Sequence, residues 1–133
     1  MIIIENGNIL NSSMQTIINP VNCVGIMGKG LALSYKKKYP EMFNDYKDKC
    51  KNNEIKIGKP HIYKINSEFQ ILNFPTKIHY RNKSHINYIE SSLKYIVENY
   101  KSLNITSLAI PRIGCGLGGL DWENEVYPLI LSY

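Results

Sequence analysis

Seven of the nine glycines in this 133-residue chain fall in two short stretches, residues 25–30 and 114–119. They give the chain its clearest capacity for chemistry. Glycine has no Cβ, so its backbone takes positive φ and lets a ligand approach closely. Successive amide N–H groups in such a loop, next to a helix start, form an anion-binding concavity. Two of these in one small domain fit a ligand with a diphosphate or two anionic groups, held between the loops.

Each loop must be positioned by a strand before it and a helical segment after it. Thr16-Ile17-Ile18-Asn19-Pro20-Val21 and Ser107-Leu108-Ala109-Ile110-Pro111 read as buried strands entering the two loops. Residues 2–4 read as a first strand, ended by Asn6-Gly7-Asn8. Residues 30–39 read as a helix stopped before Pro40, and 41–51 as a second, with Met42, Tyr46 and Cys50 at fourfold spacing. Residues 61–65 and 70–74 form a strand pair around Asn66-Ser67. Ser84 suits the N-cap of a long helix running to Tyr100, with Ile86, Ile89, Leu93, Ile96, Val97 and Tyr100 as its apolar stripe. Alternating strands and helices predict an α/β layered sandwich, and the hairpin makes its sheet mixed.

Neither glycine loop completes a common nucleotide motif. Gly114-Cys-Gly116-Leu-Gly118-Gly119 matches G-x-G-x-x-G formally. That pattern belongs in the first βα turn, with an acidic residue about 20 positions on; here it stands near the end of the sequence, and NAD-type hydride transfer is rejected. Gly25-Ile-Met-Gly28-Lys29-Gly30 is no P-loop, because no Ser or Thr follows the lysine to hold magnesium. His61, His79 and His85 lack ligand-like spacing, so no metal is expected.

The length predicts one domain over residues 1–133, and 44% hydrophobic with 20% charged residues is the composition of an ordinary globular protein. No apolar run approaches 18 residues, and residues 1–5 are too short for a signal peptide. Three cysteines, Cys23, Cys50 and Cys115, have no paired spacing. The expectation is reduced thiols in a cytoplasm, no membrane association, and a monomer. The net charge of +5 is uneven: residues 29–83 hold 13 of the 16 basic and 5 of the 11 acidic residues. Such a half suits phosphate contacts to a nucleic acid, or it reflects a compositional bias towards lysine.

Four motifs follow in order: Ile18-Asn19-Pro20-Val21-Asn22-Cys23, Gly25-Ile26-Met27-Gly28-Lys29-Gly30-Leu31-Ala32, Asn73-Phe74-Pro75-Thr76-Lys77, and Pro111-Arg112-Ile113-Gly114-Cys115-Gly116-Leu117. Together they resemble macrodomains, nearest the branch containing the DarG antitoxin macrodomain and the terminal ADP-ribose protein glycohydrolase. The resemblance implies a three-layer α/β/α macrodomain sandwich with a mixed central sheet, here with a short C-terminal helix and the last strand missing. It implies an ADP-ribose crevice at the strand ends and an ADP-ribosyl glycohydrolase, a hydrolase of N-glycosyl bonds. The expected substrate is ADP-ribosylated thymidine in DNA. No cofactor is implied, ADP-ribose being ligand and product, and a cognate ADP-ribosyltransferase toxin is the partner such antitoxins carry.

By the same resemblance, adenine lies near Asn8 and Ile9, where many relatives have Asp in place of Asn8. The diphosphate lies against the backbone of Ile113, Gly114, Cys115, Gly116, Leu117 and Gly118. Residues 25–31 of the first loop, with Gly28, Lys29, Gly30 and Leu31 among the binding residues, enclose the distal ribose, and Thr76 is a further ADP-ribose-binding residue. Asn22 and Lys77 match the positions that carry chemistry, near the scissile bond. Read without the resemblance, Asn22 is a loop residue capping its own backbone and Lys77 a solvated lysine. Cleaving a ribosyl C–N bond puts positive charge on the sugar and negative charge on the departing base. A fixed cation beside the leaving group therefore stabilises the transition state, and Lys77 as an ammonium is favoured over Lys77 as a covalent nucleophile. His79, Tyr80, Arg81 and Lys83 follow it, placed to meet a base or flanking phosphates.

One departure matters. The protein-directed glycohydrolase carries a catalytic Asp where this chain has Gly118, and Asp121 suits the cap of a helix starting at Trp122. Rival expectations are a non-catalytic ADP-ribose-binding module, removal of ADP-ribose from protein Glu or Asp, and an ADP-ribose 1″-phosphate phosphatase.

Overall fold

The computed structural model describes residues 5–133, so the strand expected at residues 2–4 lies outside the described residues. A 3₁₀ turn, Ile9–Asn11, precedes strand β1, Thr16–Val21. Helices α1, Gly30–Lys38, and α2, Pro40–Lys51, lead to the hairpin of β2, His61–Lys64, and β3, Gln70–Pro75. Helix α3, Ile86–Asn99, then crosses to the short strand β4, Leu108–Ala109. A π-helical turn, Trp122–Val126, runs into α4, Tyr127–Leu131.

The four strands form one mixed sheet in the order β2-β3-β1-β4. β1 is parallel to both β3 and β4, and β2 is antiparallel to β3. Every residue of β3, and all of β1 except Pro20, is buried. That is the signature of strands covered on both faces, and it explains why both read as apolar runs rather than alternations. Ile17, Val21 and Ile71 pack with Tyr35, Met42 and Tyr46 of α1 and α2. Ile18, Leu72 and Phe74 pack with Ile89, Leu93 and Ile96 of α3 and with Val126. The result is helices, sheet, helices.

β4 ends sooner than the sequence run suggests, at Ala109 rather than Pro111, and pairs with β1 only at Thr16 and Ile17. Beyond Ile17 the sheet therefore parts. Pro20 belongs there: it shares parity with Thr16, whose N–H donates towards β4 (to the Ser107 carbonyl, 3.1 Å), so its missing N–H faces the side that β4 has left. The Ile18 carbonyl on the same side accepts instead from the Tyr35 hydroxyl at 2.8 Å.

The apolar stripe expected on α3 is narrower than its spacing implied. Ile89, Leu93 and Ile96 are buried, but Val97 is 49% and Tyr100 45% exposed. They stand one residue and one turn beyond the packed face. The expected N-cap is also displaced: His85 precedes the helix with no side-chain cap, and Ser84 is used elsewhere.

Candidate functional site

β3, β1 and β4 are parallel neighbours, so the segments that follow them, 76–85, 22–29 and 110–121, leave the sheet at one edge. The chain passes from β1 to one side of it, then crosses back through α3 to β4 on the other. Open α/β sheets bind ligands in the crevice at such a reversal.

Asn22 builds the first loop. Its Oδ1 accepts from the Val24 N–H at 3.0 Å, the Ile26 N–H at 3.4 Å and the Tyr46 hydroxyl at 2.8 Å. Its Nδ2 donates to the Ile26 carbonyl at 2.7 Å. Burial pushes the Tyr46 phenol up, so its hydroxyl remains a donor, and it also reaches the Asn22 carbonyl. The middle of the loop is plugged into the core by Met27, whose sulfur lies 3.8 Å from the Asn19 Nδ2. Asn19 in turn donates to Asn73 Oδ1 at 3.1 Å, its register partner on β3. Gly25 and Gly30 bracket this plug at φ +83° and +58°, a region costly for other residues. Between them Gly28 and Lys29 are exposed, and Leu31 is half-buried in the first turn of α1. The N–H groups of Gly28, Lys29 and Gly30 donate to no acceptor among the described residues.

The second loop closes on itself. Leu120 N–H donates to the Gly114 carbonyl at 2.9 Å and Gly119 N–H to the Gly116 carbonyl at 3.2 Å. A Cβ on Gly118 would stand 2.5 Å from the Gly114 carbonyl oxygen, which fixes glycine at this position. Ile113 is buried, Cys115 half-buried, and Gly116 and Leu117 are exposed. The N–H groups of Gly114, Gly116, Leu117 and Gly118 make no hydrogen bond among the described residues. Uncommitted amides in a tight turn are the donors a diphosphate requires.

Beside the first loop, on its β3 side, lies Lys77. The segment that carries it is pinned by Thr76 N–H to the Val21 carbonyl (2.9 Å) and by Cys23 N–H to the Ile78 carbonyl (3.0 Å), so Lys77 flanks the β1–loop junction at Asn22. Its Nζ donates to the Tyr80 carbonyl at 3.3 Å, and partial burial holds the amine below the usual lysine range. Ser84 is the brace that the sequence hid. Buried, it donates from Oγ to the Thr76 carbonyl and from N–H to the Gly118 carbonyl (2.9 Å), tying the Lys77 segment to the second loop. Nothing in the residue pattern separates this use from helix capping; likewise Tyr46 read only as part of an apolar stripe.

The remaining expected residues fall in three places. Asn8 caps the 3₁₀ turn, its Oδ1 accepting from Leu10 N–H at 3.0 Å, and Ile9 is half-buried in that turn. Lys38 at the end of α1 holds the turn through the Leu10 carbonyl, and no hydrogen bond joins Asn8 to a glycine loop. His79 and Tyr80 stack at 4.3 Å between ring centroids, with the Arg81 guanidinium 5.5 Å from the Tyr80 ring. The Lys83 stem runs beside Gly119, 3.7 Å from where a Cβ would stand. Asp121 caps the π-helical turn through Asn124, whose side chain and N–H hold its carboxyl below the usual range.

Burial pushes the Cys23 thiol up to about 11 and raises Cys50 and Cys115 as well, so none is a thiolate nucleophile near neutrality. A cavity of about 430 Å³ bounded by Ser84, Tyr88, Leu120 and Glu125 adjoins the brace but contains neither Lys77 nor an exposed loop glycine.

Residues 18–127 match the family model described as Macro domain. A Mycobacterium tuberculosis protein named DNA ADP-ribosyl glycohydrolase is 41% identical across 100% of this chain and 39% of its own length. A Thermosipho africanus protein, named a DNA ADP-ribosyl transferase-DNA ADP-ribosyl glycohydrolase fusion, is 43% identical across 96% of this chain and 37% of its own. The solved structure of Thermosipho africanus DarTG in complex with ADP-ribose superposes with a TM-score of 0.89 at 45% identity, covering 96% of this chain and 36% of that one. The chain thus spans about two fifths of the length of these curated relatives.

Proposed function

The chain belongs to the macrodomain family, and on that premise we propose that it removes ADP-ribose from ADP-ribosylated thymidine in DNA. The observation that carries this reading is the pair of glycine loops with uncommitted N–H groups at one sheet edge, with the Lys77 segment at that same edge, hydrogen-bonded beside the first loop and tied to the second through Ser84. The names of the curated relatives support the same reaction, and the ADP-ribose complex of a relative supports the ligand.

In this reading the second loop holds the diphosphate and the first encloses the distal ribose. Water adds to the anomeric carbon, the C–N bond breaks, and the base leaves carrying the proton released from that water. Lys77 as an ammonium steadies negative charge on the departing base, an interaction that strengthens as the bond lengthens. Asn22 holds the first loop in shape beside it. The protein-directed alternative is disfavoured by Gly118, where the backbone leaves no room for a side chain, and by the engagement of Asp121 as a cap. A cognate ADP-ribosyltransferase is the partner this reading implies, supported by the fusion of the two activities in the Thermosipho africanus relative's name.

The test is ADP-ribose release from thymidine-linked DNA and from glutamate-linked protein, measured in parallel. Faster release from DNA is expected; preference for the glutamate linkage, or release from neither, overturns the proposal.

A further inference from the structure

Beyond the crevice, one strip of surface is unaccounted for. Cys23 sits between two segments: its N–H meets the Ile78 carbonyl, and the Ile57 backbone lies against its thiol. The turn 56–59 therefore adjoins the loop that carries Lys77. This turn is firmly built. Lys56 and Lys59 form an isolated bridge, Ile55 is buried beneath, and Gly58 (φ +84°) backs onto Ser91 of α3 with 3.2 Å between its Cβ position and the Ser91 Oγ. Both lysines are exposed. Among the described residues the salt bridge is Lys49–Asp45 at 2.6 Å, and neither Lys56, Lys59, Arg81 nor Lys83 enters one. The acids nearest in sequence are Glu54, whose carbonyl bonds to His61, and Glu90 on α3.

The Lys77 loop beside this turn is apolar and aromatic. Ile78 is 51% and Tyr80 41% exposed; the Tyr80 ring stacks on His79, and the Arg81 guanidinium stands 5.5 Å from its centroid. Flat rings beside unpaired cations are what single-stranded nucleic acid needs: bases stack and phosphates find lysines.

We propose that the 56–59 turn and the His79-Tyr80-Arg81 stack form a track for the unmodified single-stranded DNA flanking the ADP-ribosylated nucleotide. The inference rests on the DNA-directed reading of the crevice. Tyr80 takes a neighbouring base, while Lys56 and Lys59 take phosphates further along the strand.

The probe is an unmodified fluorescent 12-nucleotide thymidine strand, titrated by polarisation in the presence of saturating ADP-ribose. Lys56→Glu/Lys59→Glu should weaken binding about tenfold or more and flatten the log–log salt slope by about 1.4, two phosphate contacts at about 0.7 each. Tyr80→Ala should weaken it about tenfold with the slope unchanged. Thermal stabilisation by ADP-ribose, unaltered in the double variant, certifies its fold. Equal affinity of wild type and double variant overturns the track, as does tighter binding of duplex DNA than of the single strand. Failure of the crevice reading shows separately, as no ADP-ribose release from modified DNA by wild-type protein.

Discussion

At the residue scale the proposed reaction turns on Lys77. Its neighbours fix the backbone on both sides, and partial burial lowers the proton affinity of its amine. The sign of its pH dependence separates two mechanisms. If the ammonium is the working form, kcat/KM is flat at low pH and falls as pH rises through a pKa below the usual lysine value. If the neutral amine attacks, the rate climbs over the same range. We expect the fall. Lys77→Arg should retain part of the activity, since arginine stays charged, and borohydride should trap no enzyme–ribose adduct. Asn22 behaves differently. Its amide satisfies two loop N–H groups and one loop carbonyl, so Asn22→Ala leaves buried polar groups unpaired, costing about 1–3 kcal/mol. Stability and ADP-ribose affinity should fall together; a loss confined to kcat with unchanged Tm would assign Asn22 to the chemistry alone.

At the scale of elements, the two glycine loops divide their glycines between fold and ligand. Gly118→Ala drives a Cβ into the Gly114 carbonyl and should destabilise the protein by about 1–3 kcal/mol. A Cβ on Gly116 meets no protein atom within 4 Å and its φ is unstrained, so Gly116→Val should fold. It should nevertheless lose ADP-ribose binding, measured by calorimetry, because its side chain enters space the diphosphate uses. Retained affinity would reduce this loop to a structural turn. Much at this scale was legible in the sequence. The two buried parallel strands read as apolar stretches even with Asn19 and Asn73 inside them, and the Met42–Tyr46–Cys50 spacing fixed α2 nearly to the residue. What was not legible depends on partners far away in the chain. Ser84 looks like a cap until Thr76 and Gly118 are beside it, and β4 is short because the sheet parts beyond Ile17. Val97 and Tyr100 fit a helical period, yet no element among the described residues covers them.

Across the whole molecule, charge is sorted by layer. The basic segment 29–83 comprises α1, α2, the hairpin and the Lys77 segment, while α3 and the C-terminal helical turns belong to the acidic remainder. A polyanionic substrate should therefore approach from the α1–α2 side, and kcat/KM on modified DNA should drop more steeply with salt than the affinity for free ADP-ribose. Parallel salt slopes for the two would remove the DNA from this surface.

The most direct measurement is single-turnover release of ADP-ribose from thymidine-linked DNA by wild type and Lys77→Ala, with ADP-ribose affinity measured on the same samples. We predict a rate lower by a factor of about 10²–10³ in the variant with affinity nearly unchanged, because the charge acts mainly in the transition state. Undiminished turnover by Lys77→Ala, or loss of rate and affinity in equal measure, would contradict it.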